Sequence, residues 1–156
     1  MNQTARNVVD VSQIAALTNP FKAAMSPTPF PATSPLLGPI TDWCLDTFDG
    51  LAPLLIGIEF GVDTVGFHPV ELDPVDPIAD LVGLRADPDW SIAVVIADVL
   101  HAQARDLETN AFSGILAYSC DREGLSQARL DTPCGQRRNL RHRTGFLPAV
   151  CAELFT

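Results

Sequence analysis

The segment His68-Pro69-Val70-Glu71-Leu72-Asp73-Pro74-Val75-Asp76-Pro77-Ile78-Ala79-Asp80 gathers the densest set of metal-ligating side chains in the chain. One imidazole and four carboxylates, His68, Glu71, Asp73, Asp76 and Asp80, fall within thirteen residues. Hard divalent cations need several oxygen ligands, so this loop is a candidate metal site and, with it, the basis for a metal-dependent enzyme. The spacing is not that of an EF-hand, because no D-x-D-x-D-G run is present. The competing reading is an Asp-Pro-punctuated loop whose carboxylates cap turns and face water.

His-Pro with a downstream Asp resembles part of the JAMM-type metallopeptidase motif. Here, however, Gly66 and Phe67 precede His68, no second histidine lies nearby and the motif's serine is missing. A zinc hydrolase would lack a ligand. A second set, Cys120, Cys134, His142 and Cys151, supplies a possible Cys₃His site. Its intervals of 14, 8 and 9 give no close pair of the kind zinc knuckles use. The third set is Arg137, Arg138, Arg141 and Arg143, four guanidinium groups that can contact phosphate. Nucleophilic catalysis finds no support: G-x-S-x-G and S-x-x-K are absent, and no Cys has an obvious His partner. Neither phosphate-cradling glycine loop occurs, and no cofactor is implied.

These residues need elements to hold them. Residues 1–18 read as a short helix, with Val8, Val9, Val11, Ile14 and Leu17 loosely on one side. Six prolines between Pro20 and Pro39 then predict an extended arm, without the PxxP spacing of an SH3-type ligand. The globular part is expected from about Thr41, which can cap a helix carrying Trp43, Leu45 and Phe48 to one face. Leu54 to Phe60 reads as a strand, with a turn at Gly61-Val62-Asp63. Trp90 to Leu100 is the strongest strand, and its near-continuous apolar run places it centrally, covered on both faces. Phe112–Cys120 and Leu125–Leu130 follow as strands around the turn Asp121-Arg122-Glu123-Gly124, completing an antiparallel meander over about 90–132. The arginine-rich stretch reads as a short helix, and Leu147 to Phe155 as an apolar tail docked on the core.

The whole is an α+β protein: a helix and proline-rich arm over 1–40, then one domain over 41–156 with a central antiparallel sheet and flanking helices. Its 156 residues suffice for a sizeable core, with 47% hydrophobic and 19% charged side chains. Nineteen acidic against ten basic residues give a net charge of −9, which argues against nucleic acid or anionic lipid as a partner. The charge is uneven. Residues 41–108 hold 14 acidic and 2 basic side chains, whereas residues 133–156 hold 4 basic and 1 acidic. Such segments can pack together or direct self-association. No apolar run approaches the roughly 18 residues that span a bilayer. Met1 to Leu17 lacks a signal-peptide core and cleavage site, so a cytoplasmic location with reduced thiols is expected.

Leu81 to Val95, read as Leu-Val-Gly-Leu-Arg-Ala-Asp-Pro-Asp-Trp leading into a strand, is similar to a segment shared by a group of uncharacterised actinobacterial proteins. Asp121-Arg122-Glu123-Gly124 matches that group's later Asp-Arg-x-Gly turn. Asp87 stands between Ala86 and Pro88 where the group runs Ala-Pro directly. The resemblance covers roughly 80–132 and implies no activity. A good core without a catalytic set leaves a non-enzymatic ligand- or partner-binding, regulatory module as the leading expectation. Its partner is an unknown protein or a second copy, met by the proline-rich arm or the apolar tail. The metal-dependent enzyme is the alternative.

Overall fold

β-Branched residues are most concentrated in the segment after Trp90, and there the chain lays down the middle of a seven-stranded sheet. The computed structural model describes residues 8–13, 34–98, 114–140 and 146–155. In chain order these form β1 (Val8–Asp10), α1 (Leu37–Phe48), β2 (Leu54–Phe60), β3 (Thr64–Glu71), α2 (Pro77–Val82), β4 (Ile92–Asp98), β5 (Ile115–Asp121), β6 (Ser126–Asp131), β7 (Arg137–Leu140) and α3 (Phe146–Glu153). The sheet order is β1-β3-β2-β4-β5-β6-β7, with every neighbouring pair antiparallel. This is the expected α+β fold, and the expected meander is β4-β5-β6 with β7 added.

Alternation along β4 divides the core into two layers. Ile92, Val94 and Ile96 join Leu54, Ile56, Ile58 and Phe67 beneath Leu37, Ile40, Cys44 and Leu45 of α1. Ala93 and Val95 point the other way, to Leu116, Tyr118, Ala128 and Leu130, where Ile78 and Leu81 of α2 and Val150, Cys151 and Leu154 at α3 cover them. Burying each such Val, Leu or Ile side chain contributes roughly 1.5–3 kcal/mol. The central strand is therefore apolar on both faces because both faces are roofed. Trp90 lies flat across Gly57 of β2, and a Cβ at Gly57 would meet its ring at 1.9 Å. No helix among the described residues is long and apolar enough to cross a membrane.

Three local expectations are corrected. Val8–Asp10, expected in a helix, is a strand registered on β3 with Val8 opposite Gly66 and Asp10 opposite Thr64. The β-branched valines satisfy the sheet edge, and pairing outweighs weak amphipathic periodicity. Residues 14–33, including most of the expected arm, lie outside the described residues.

The globular part begins earlier than Thr41. A 3₁₀ turn at Ser34–Leu36 leads into α1, and Leu36, Leu37 and Ile40 are fully buried. Pro39 is no obstacle, because the first-turn amides of a helix have no intrahelical acceptor to lose. Thr41 is not a cap. It is buried inside the helix, and its hydroxyl bridges the Leu37 carbonyl and Ser119 Oγ.

The arginine-rich stretch, expected as a helix, begins as strand β7. A turn over Thr132–Gln136, with Gly135 at φ +82°, folds it back on β6 and pairs Asp131 with Arg137. A positive φ of this size favours glycine. Arg141 and Arg143 lie outside the described residues.

Candidate functional site

The proposed metal loop does not gather its carboxylates around a common centre. Asp76 caps α2, accepting from the Ala79 amide at 3.2 Å. Asp73 accepts from the Val75 amide at 2.9 Å, and Asp80 reaches back to the Asp73 amide at 2.9 Å. Each carboxylate thus closes a local turn, which is what Asp does beside proline. His68 lies back on β3, 3.1 Å from Glu59 Oε1 of β2, while Glu71 ends that strand exposed. Among the described residues, no three His, Cys, Asp or Glu side chains are grouped to hold a metal ion.

The second set also separates. Cys120 and Cys151 meet in the core, Cys134 is exposed in the β6–β7 turn, and His142 lies outside the described residues. Cys44 is buried on the opposite layer, where burial pushes its thiol well above the ordinary range.

The loop before β4 and the β5–β6 turn meet in space. Arg122 donates from Nε to the Trp90 carbonyl at 2.7 Å and from Nη2 to the Asp87 and Pro88 carbonyls at 3.1 and 3.0 Å. Asp121 Oδ1 accepts from the Glu123 and Leu125 amides, and Gly124 takes φ +86° to complete the turn. The Arg122 guanidinium also lies over the Phe155 ring, 4.8 Å from its centroid. These contacts form a clasp that fixes the loop before β4 against the β5–β6 hairpin.

A concavity among the described residues lies at one end of the sheet. A cleft of about 550 Å³ opens where β4 ends at Asp98, β5 begins at Gly114-Ile115 and β6 ends at Asp131. Asp49, just past α1, and the turn from Thr132 to Gly135 form its rim, with Arg137 on one wall. Residues 99–113 lie outside the described residues.

Arg137 is the cation of this wall, and its fork is closed. Nε and Nη2 bind the two Asp131 oxygens at 2.6 and 2.8 Å, and Nη2 also reaches Asp46 Oδ1 at 2.6 Å. Asp42 Oδ1 stands 3.6 Å from Nη1 and receives Arg129 Nε at 3.1 Å. The hydrogen bonds that Arg137 donates to Asp131 are the main reason its guanidinium stays protonated well above the ordinary range. Oppositely charged segments therefore do pack together, with α1 tied to β6 and β7. This site escaped sequence reasoning because its charged residues stand at the ends of separate elements. The only local trace was the charge asymmetry. Comparison with known families, curated proteins and solved structures finds no match to this chain.

Proposed function

We propose that this protein is a non-enzymatic binding module whose cleft at the sheet end takes a cationic ligand bearing an amine or guanidinium. The observation that carries this reading is the composition of the cleft. Asp49, Asp98 and Asp131 line it together with one cation, Arg137, whose donors already face Asp131 and Asp46. Among the described residues the lining is thus acidic on balance, and a cavity near 550 Å³ suits a small molecule or one side chain of a partner. The Thr132 hydroxyl, the one hydroxyl in the lining, is directed to the Gln136 carbonyl. Overall negative charge would steer a cation toward the protein.

Isothermal titration with 1,4-diaminobutane and with arginine methyl ester tests this, using uncharged analogues as controls. Saturable binding of the cations, weakened by added salt and reduced at least tenfold in an Asp49→Asn/Asp98→Asn variant that still folds, is the expected result. Absence of saturable binding, or equal binding by the variant, would refute the assignment.

A further inference from the structure

Beyond the cleft, the buried layer under α3 contains a pair of thiols from two different elements. Cys120 stands near the end of β5 and Cys151 on α3, 31 positions apart in the chain. The Cys120 thiol lies 3.6 Å from the Cys151 carbonyl oxygen and donates to it. The neighbouring Cys120 thiol, together with burial, pushes the Cys151 thiol well above the ordinary range. The exposures are 5% for Cys120 and 0% for Cys151, so neither meets solvent while α3 is seated. The other two cysteines are elsewhere, Cys44 on the opposite layer and Cys134 on the surface. Among the described residues, the contacts that hold α3 and the residues after it include the Ala86 amide on the Leu154 carbonyl at 2.7 Å and Arg122 over Phe155.

We infer that Cys120 and Cys151 form a redox-responsive dithiol whose oxidation by a low-molecular-weight disulfide fastens α3 to β5. The oxidant is a glutathione-type disulfide, which enters when α3 lifts. The Cys120 sulfur, having lost its proton to solvent, attacks one sulfur of the oxidant. That breaks the oxidant's S–S bond and releases one thiolate, which takes up a proton. The deprotonated Cys151 sulfur then attacks Cys120 in the mixed disulfide and expels the second thiolate. Two protein thiols are oxidised, and one small disulfide is reduced to two thiols. While α3 is seated, both thiols are buried away from any oxidant and slow to react, so the rate follows the opening of the helix.

The test equilibrates the full chain in glutathione buffers of increasing oxidised fraction, then acid-quenches, alkylates and maps peptides by mass. The expected product joins Cys120 to Cys151 in native buffer, leaves Cys44 unmodified and forms equally well in Cys134→Ser. Its thermal midpoint rises by several degrees over the reduced form, because the closed loop restricts the unfolded chain. Cys120→Ser and Cys151→Ser each abolish both the link and the shift. Four alkylated thiols throughout, a link formed only in denaturant, or a native link without a change in thermal midpoint would overturn the inference.

Discussion

Gly57 shows how little a single residue's role can be read from its neighbours in the chain. In Leu54-Leu55-Ile56-Gly57-Ile58 it is an interruption in an apolar strand, yet the Trp90 ring occupies the space its side chain would need. The nearest ring atoms would stand 1.9, 2.1 and 2.4 Å from an added Cβ, well inside contact distance. Gly57→Ala is therefore expected to destabilise by about 1–3 kcal/mol, as overpacking does, with Trp90 displaced from its seat. Urea unfolding followed by tryptophan fluorescence measures it. Gly50→Ala is the control, because nothing lies within 4 Å of a Cβ there, and it should shift stability by less than about 0.5 kcal/mol. Equal effects at the two positions would contradict the packing described.

Elements were legible wherever the hydrophobic pattern and the tertiary environment agreed. β4 was evident because a doubly covered strand needs apolar residues on both sides, and the β5–β6 hairpin was announced by Asp121 to Gly124. Proline misled. Pro39, Pro77 and Pro148 all fall in the first turns of helices, where a missing amide proton costs nothing, so proline density marked helix starts as readily as arm. Arginine density likewise suggested a helix where an edge strand stands, and edge strands tolerate charge well. The cleft was invisible because adjacent sequence never brings Asp49, Asp98, Asp131 and Arg137 together. Asp76 separates the two readings of the acidic loop. As the cap of α2, a helix of six residues, its replacement by alanine should cost about 1 kcal/mol, unchanged by chelator. Denaturation with and without EDTA decides, and a loss that appears only when divalent metal is present would restore the metal-site reading.

At the scale of the whole molecule, the two-layer core makes stability depend on pH through a buried phenol. Tyr118 is the single tyrosine, and burial beneath α3 pushes its phenol from 10.0 up to about 12, opposed in part by a hydrogen bond with Ser126. Between these values the unfolded chain has released the proton and the folded one retains it, so stability falls as pH rises through the window. The fall should flatten in Tyr118→Phe, while any contribution from the buried thiols persists in both proteins. Tyrosinate absorbance against pH checks the assignment, with a native midpoint near 10 counting against it. The order of the strands has a consequence of another kind. β1, β3 and β2 make one ladder and β4 to β7 another, and the pairing of Leu54–Ile58 with Ile92–Ile96 alone unites them. The short-turn hairpins β2–β3, β5–β6 and β6–β7 close cheaply, whereas joining β2 to β4 must bring together segments separated by β3 and α2, and seating β1 on β3 spans α1 and β2. The entropic barrier to self-assembly therefore falls on the long-range pairings: the short hairpins form early, and the molecule commits to its shape when β2 is fastened to β4 and β1 to β3.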